Sequence, residues 1–255
     1  MSESGRFRGV LWDLDDTLVP YSTFERWQWA WRPQGPLLPE RHVRAALRKG
    51  LKSWDRQLWR ELVGLEPAAN AGAERAWLRG VLFDIAGHSL PDAETDAVLN
   101  RLPKFPEIPE PFPDVLGCLK ALKSHALSMA VLASEPGDRT AFILRHNRLD
   151  AFLPTVVESD RPARSDRTAT RFRAACQRLG TPPEETLFVG DLYWSDARAA
   201  SRVGLTGLLL DRNDWWARTG GPRIRSLGEL PGWLDAPPAL RAAHAESNEA
   251  PGEAK

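Results

Sequence analysis

The sequence has few of the features that mark secreted, membrane or nucleic-acid-binding proteins. It has two cysteines, Cys118 and Cys176, which form no CxxC pair and fall in helical patterns, so we expect buried, reduced thiols. Lysine plus arginine (34) equals aspartate plus glutamate (34), so the basic excess of a nucleic-acid binder is missing. No apolar run approaches the ~20 residues of a membrane span, and the first run is too short for a signal peptide. We predict a cytoplasmic protein without a nucleic-acid or membrane partner.

What the chain does contain is a regular alternation of short apolar runs and helical patterns. Five strands are predicted, at residues 9–14, 127–134, 155–159, 186–191 and 205–211. Helices are predicted at residues 114–122 (capped by Asp114), 139–148, 170–179, 196–203 and 226–234. This alternation predicts an α/β fold with a doubly wound, Rossmann-like parallel sheet.

A long stretch without a convincing strand separates the first strand from the others. Its apolar residues recur at helical spacing, and prolines divide it into four or five predicted helices. We interpret it as an all-helical cap on an α/β core. The predicted division is a core of residues 1–20 and 108–235, a cap of residues 21–107 and a disordered tail of residues 236–255.

Acidic residues follow two of the predicted strands. Asp13 and Asp15 follow the first strand, and Asp191 ends the fourth, with Asp196 five residues later. Parallel strands end at one edge of a sheet, so we expect the four side chains to cluster there. Such a cluster of like charges requires a cation, and oxygen ligands without histidine or cysteine favour Mg²⁺ over zinc. Aspartates also occur there simply as turn and cap residues, but that alternative explains the ordered set less well.

The sequence resembles the haloacid dehalogenase-like (HAD) superfamily over essentially residues 8–234. GVLWDLDDTLV resembles the first family motif, VLASE the second and VGDLYWSD the fourth. The resemblance implies a phosphatase in which Asp13 attacks phosphorus, Asp15 protonates the leaving oxygen and Ser134 binds a phosphoryl oxygen. It also implies that Asp13, the backbone carbonyl of Asp15 and Asp191 hold Mg²⁺, and that Asp196 orients the waters of the metal.

Two details within the resemblance favour the phosphatase branch. The dehalogenases of the superfamily lack the second aspartate, because expelling halide requires no acid, whereas this chain has Asp15. The mutases usually have glycine at the next position, where this chain has Asp16. A helical cap inserted after the first motif favours a small phosphorylated metabolite, so the predicted partner is a small-molecule phosphate ester. The oligomeric state is left open by the sequence.

The chain departs from the family at the third motif, which normally supplies a lysine near the nucleophile. The aligned position is Asp166, and no lysine occurs between Ser124 and Ala254. We expect Arg167 or Arg164 to replace it as a phosphate-binding cation, although arginine is planar and longer. The missing lysine keeps open the alternative of a weakly active or non-catalytic HAD-like binding or regulatory protein. A phosphotransferase or phosphomutase is a further alternative, which requires a second hydroxyl acceptor in place of water.

Tryptophan is abundant, with eleven in the chain. Trp27 and Trp31 lie one helical turn apart in the predicted cap, and we interpret them as packing between its helices. Trp194 lies between Asp191 and Asp196, beside the predicted metal site. It is therefore the first candidate for a substrate contact.

Overall fold

The computed structural model describes residues 7–21, 23–34, 38–62, 71–102, 108–133, 137–158 and 167–237. The strands in these ranges are β1 (Gly9–Trp12), β2 (Ser128–Ala133), β3 (Thr155–Glu158), β4 (Thr186–Gly190), β5 (Thr206–Leu210) and β6 (Arg223–Ile224). The helices are α1 (Phe24–Trp31), α2 (Glu40–Leu62), α3 (Ala71–Ala86), α4 (Asp92–Leu99), α5 (Val115–Lys123), α6 (Gly137–His146), α7 (Arg167–Leu179), α8 (Ala199–Arg202) and α9 (Leu230–Asp235).

The strands form one sheet in the order β3-β2-β1-β4-β5-β6, and all neighbouring pairs are parallel. The chain first builds outward from β1 to β3 and then returns to the other side of β1 with β4. This order confirms the predicted doubly wound fold and places a crevice beyond the carboxyl ends of β1 and β4. The two-residue strand β6 was not predicted, because so short a run gives no periodic signal.

The two central strands are buried on both faces, as their nearly continuous apolar runs require. Val10 and Trp12 of β1 face a cluster that includes residues of α5 and α6. Leu11 faces the opposite cluster, where the rings of Phe172 and Phe188 meet edge to face with centroids 4.9 Å apart. Helices therefore cover both sides of the sheet, and the site at its edge rests on a rigid support.

The stretch between β1 and α5 contains the four helices α1 to α4 in the described residues. They share an apolar cluster of their own, in which Trp27 and Trp31 are buried. The interpretation of these two tryptophans as packing residues is thereby confirmed. The exact division into a core and a cap stays a prediction, and residues 238–255 of the predicted tail lie outside the described ranges.

The predicted cap of α5 was wrong. Asp114 precedes α5 but makes no side-chain hydrogen bond to it. Its carboxylate instead accepts hydrogen bonds from the guanidinium of Arg212 at 2.7 and 3.0 Å, from the hydroxyl of Ser226 at 2.9 Å and from the N–H of Leu227 at 2.8 Å. Charge-assisted bonds to Arg212 outcompete the local cap, and the whole set of bonds ties the start of α5 to the segment that follows β5.

Two predictions made from composition can be compared with the structure. Cys118 and Cys176 are buried free thiols, as predicted. Across the described ranges, none of the helices combines the length and apolar character needed to cross a membrane.

Candidate active site

Three of the predicted aspartates meet at the carboxyl edge of the sheet. Trp12 of β1 pairs with Val189 of β4, and the N–H of Asp13 donates to the carbonyl of Val189 at 2.9 Å. Asp13 and Asp191 therefore leave the sheet side by side. Carboxylate oxygens of Asp13, Asp191 and Asp196 all lie within 4.8 Å of one another. The parallel register thus produces the cluster that the motifs predict.

Asp196 reaches the cluster because two glycines allow close approach. It lies in a π-helical turn, Tyr193–Arg198, a form often found at functional sites. A Cβ built on Gly190 would lie 2.5 Å from Oδ2 of Asp196, and one on Gly207 of β5 would collide with the backbone of the turn. The N–H of Leu192 also donates to Oδ2 of Asp196 at 3.2 Å. Larger residues at the two glycines would displace the carboxylate.

Asp13 and Asp196 are buried, Asp191 is half-buried, and the three carboxylates repel one another. Burial, followed by the charges of Asp196 and Asp15, raises the pKa of Asp13 well above its ordinary value. Burial, followed by the charges of Asp16 and Asp13, does the same to the pKa of Asp191. Burial raises the pKa of Asp196 to about 7. A divalent cation would offset both the burial of these carboxylates and their mutual repulsion, and a donor set made only of carboxylate oxygens fits Mg²⁺.

Mg²⁺ is expected to stabilise the protein more at about pH 7.5 than at about pH 5.5. Because the pKa values of the cluster are raised, the metal-free folded state keeps protons that the unfolded chain releases above about pH 4. The metal-free stability therefore falls as pH rises towards 7, whereas Mg²⁺ binds the ionised carboxylates. A concentration 100 times the Kd should raise Tm by about 5–10 °C at the higher pH.

Thermal unfolding in Mg²⁺ and in EDTA at both pH values measures this difference. Equal shifts in Tm at the two pH values would show that the carboxylates bind no cation in competition with protons.

Asp15 lies beside the cluster and is held by an arginine that the sequence did not single out. Arg139 of α6 donates from Nη1 to Oδ2 at 3.0 Å and from Nη2 to Oδ1 at 3.1 Å, a bidentate ion pair. Asp16 turns the loop with a left-handed φ of 60°, which aspartate tolerates, and its carboxylate accepts from the N–H of Tyr21 at 2.8 Å. Each oxygen of the predicted acid therefore accepts one hydrogen bond from Arg139.

Among the described residues, Arg171 of α7 is a cation whose charge favours the ionised form of the predicted nucleophile, Asp13. Its charge partly offsets the rise that burial causes in the pKa values of Asp13 and Asp196. Its Nε is itself buried. Of the two arginines predicted for this role, Arg164 lies outside the described residues, and Arg167 begins α7 without a described side chain. Arg171 follows Arg167 by one helical turn and shares its side of the helix.

The remaining predicted site residues can be placed only in part. Ser134 follows the last residue of β2 and lies outside the described ranges. The ring of Trp194 is half-buried, with its centroid 6.0 Å from that of Trp59 on α2 and 4.8 Å from the guanidinium carbon of Arg198. These contacts give Trp194 a packing role, and its contact with substrate stays a prediction.

Sequence reasoning missed three charged residues near this edge. Arg171 could have been found, since it lies four residues after Arg167 and therefore on the same helix face. Asp55 of α2 could also have been found. It continues the four-residue spacing of the apolar positions Val43, Leu47 and Leu51, so it is a charged residue on a helix face that is otherwise apolar. Arg139 gives no comparable signal, because its ion pair with Asp15 joins segments 124 residues apart.

The fold and the site define the class of protein. The protein has a doubly wound parallel sheet with three clustered aspartates beyond the carboxyl ends of its central strands, which is where such sheets bind ligands. The sequence profile of the haloacid dehalogenase-like hydrolase family matches residues 7–204. The chain belongs to this family and is a hydrolase, which confirms the resemblance of its motifs.

Individual relatives are distant. A glyceraldehyde 3-phosphate phosphatase from Methanopyrus kandleri is 26% identical over 211 residues, which cover 82% of this chain and 85% of the relative. The structure of HAD-hydrolase YfnB from Bacillus subtilis, bound to magnesium, matches with a TM-score of 0.64 and 17% identity over 91% of this chain and 100% of that one. An L-2-haloacid dehalogenase from Xanthobacter autotrophicus, with chloropropionic acid covalently bound, matches with a TM-score of 0.63 and 16% identity over 90% and 99%. At these identities the two structures show the fold alone.

Proposed function

We propose that the protein is a Mg²⁺-dependent phosphatase that hydrolyses a small phosphorylated metabolite through a phosphorylated Asp13. The observation that carries the proposal is the cluster of Asp13, Asp191 and Asp196 at the ends of the two central strands. Their mutual repulsion calls for a cation, which would leave Asp13 ionised and nucleophilic at neutral pH. The phosphatase name of the relative from Methanopyrus kandleri supports a phosphate monoester as substrate.

The proposed reaction has two displacements at phosphorus. In the first, a carboxylate oxygen of Asp13 bonds to phosphorus while the bond from phosphorus to the leaving oxygen breaks. Asp15 donates its proton to that oxygen, so the product leaves as a neutral alcohol. In the second, Asp15 takes a proton from a water molecule as that water attacks phosphorus. The bond to Asp13 breaks, which releases inorganic phosphate and restores the carboxylate.

The residues of the cluster suit the roles that the family assigns to them. Asp13, Asp191 and the backbone carbonyl of Asp15 would hold Mg²⁺, and Asp196 would orient its waters. When bound, the cation neutralises negative charge on the transferring phosphoryl group. The N–H of Leu192 already fixes one oxygen of Asp196.

Arg171 fills the gap left by the missing lysine. Its charge acts on Asp13, where a cation would hold the nucleophile and a phosphoryl oxygen. The absence of the lysine was the main support for a non-catalytic protein, so an arginine acting at the nucleophile favours an enzyme. Asp16, in place of the glycine of the mutases, favours hydrolysis over phosphoryl transfer to a second hydroxyl.

Arg171→Met is expected to lower kcat by about 10²–10³-fold, because one preorganised charge facing the transferring group is lost. Arg171→Lys retains the charge and should lose less activity. Arg173→Met is the matched control, since Arg173 lies on the same helix with an exposed side chain. Steady-state hydrolysis by the three variants measures the effect. Equal activity of Arg171→Met and Arg173→Met would remove Arg171 from the mechanism.

A small substrate fits the surroundings of the cluster. A small pocket lies between Leu51 of α2 and the edge of the sheet, and Asp16, Asp191 and Trp216 also line it. The helix therefore restricts the space beside the site, which excludes bulky substrates.

The test of substrate size is Mg²⁺-dependent phosphate release from glyceraldehyde 3-phosphate and other small monoesters, compared with release from a folded phosphoprotein. The proposal predicts release from at least one small ester and none from the phosphoprotein. The reverse result would contradict it.

A further inference from the structure

A buried carboxylate of helix α2, that of Asp55, binds the segment between Asp191 and Asp196, two residues of the proposed metal site. Asp55 is fully buried. Its Oδ2 accepts from the N–H of Trp194 at 2.8 Å, and its Oδ1 accepts from the N–H of Ser195 at 2.8 Å and from its hydroxyl at 2.7 Å. The three bonds join segments about 140 residues apart.

These bonds satisfy the start of the π-helical turn Tyr193–Arg198. The first N–H groups of a helical turn have no partner within the turn and require an acceptor from elsewhere. The preceding residue, Leu192, supplies no side-chain cap, so Asp55 takes that place from another helix. The turn begins two residues after Asp191 and contains Asp196. Its position therefore sets where the two carboxylates stand relative to each other.

Neighbouring residues of α2 pack on the same region. Trp59, one turn after Asp55, has its ring centroid 6.0 Å from that of Trp194. Lys52, about one turn before Asp55, lies 5.1 Å from the ring centroid of Trp216. One face of α2 thus packs directly on the turn through Trp59, and Lys52 of the same face packs on Trp216, whose ring centroid lies 6.2 Å from that of Tyr193 in the turn.

We propose that Asp55 is a positioning residue for the metal site, through which α2 holds the turn between Asp191 and Asp196 in its cation-binding arrangement. The proposal rests on the proposed function in so far as the cluster binds Mg²⁺. The charge of Asp55 also contributes to the raised pKa values of Asp191 and Asp196, which places it within electrostatic range of the cluster. Mutation of a residue that orients metal ligands through hydrogen bonds typically weakens metal affinity by about 10–100-fold.

Asp55→Asn tests the proposal, because its NH₂ group cannot accept the hydrogen bond that one carboxylate oxygen now accepts. Titration calorimetry with MgCl₂ on the full chain should show a Kd about 10–100-fold weaker than that of the wild type. Ser195→Ala keeps the charge and both backbone bonds, so its Kd should change by only a few-fold. Glu40→Gln is the matched control on α2, since Glu40 is exposed and pairs with Arg44, and its Kd should not change.

Circular dichroism of each variant shows whether it is folded. If Asp55→Asn does not fold, Ser195→Ala carries the test, and a wild-type Kd for it would overturn the proposal. A folded Asp55→Asn that binds Mg²⁺ as the wild type does would overturn it directly. Failure of the proposed function is distinguishable: a wild type that binds Mg²⁺ but releases no phosphate contradicts catalysis and leaves the role of Asp55 intact. A wild type that binds no Mg²⁺ contradicts both.

Discussion

Replacing Asp13 by asparagine is expected to lower phosphate-monoester turnover by about 10⁴-fold or more. The amide has nearly the shape of the carboxylate but provides no anionic oxygen to attack phosphorus. The same change removes one of three carboxylates within 4.8 Å of one another, so the metal-free protein should become more stable while Mg²⁺ affinity falls. Loss of activity together with a higher metal-free Tm is a combination that simple misfolding cannot produce.

The matched control is Asp84→Asn, which changes an aspartate on α3 that pairs with exposed Lys49 away from the site. Its turnover and its Tm should both stay near the wild-type values. Turnover by purified Asp13→Asn within about tenfold of the wild type would exclude Asp13 as the nucleophile.

Asp15→Asn is expected to affect substrates according to their leaving groups. Alkyl phosphates require protonation of the leaving oxygen, so their kcat should fall by about 10²–10⁴-fold. p-Nitrophenolate leaves without a proton, so the first displacement should continue with p-nitrophenyl phosphate. The second displacement lacks its base, and phosphorylated Asp13 should accumulate. The expected time course is a burst of about one p-nitrophenolate per enzyme, followed by slow steady-state release of p-nitrophenolate.

Arg139→Gln, with Asp15 intact, separates loss of the ion pair from loss of the acid. This variant frees both oxygens of Asp15 from the bidentate contact and should show no burst. Equal losses of Asp15→Asn on both substrates, without a burst, would mean that Asp15 serves only to hold the loop through Arg139.

The sheet and the carboxylate cluster were predictable because they depend on local patterns and one rule of topology. Each of the first five strands is a short apolar run bounded by turn residues, so the sequence marks its position. Parallel strands must end at a common edge, and that alone brings Asp13 and Asp191 together. The glycine before Asp191 was visible in the motif, but its need for space beside Asp196 appears only in three dimensions.

Contacts between distant segments were not predictable. Asp114 stood where a helix cap is usual, yet it binds Arg212, 98 residues later. Arg139 and Asp55 find their partners in the same way, and no local pattern specifies which buried polar groups will meet. Arg171 was predictable in part. Its helical spacing from Arg167 indicated the face of α7 on which it lies, but the sequence did not show that its charge would act on Asp13.

The most direct test of the central claim is to incubate the wild type separately with p-nitrophenyl phosphate and with 2-chloropropionate. Each incubation is run once with Mg²⁺ and once with EDTA, and the release of phosphate and of chloride is measured. Asp15 and the carboxylate cluster predict phosphate release that requires Mg²⁺, and no chloride release under either condition. Chloride release that persists in EDTA, without phosphate release, would contradict the account and assign the chain to the dehalogenase chemistry of its structural relative from Xanthobacter autotrophicus.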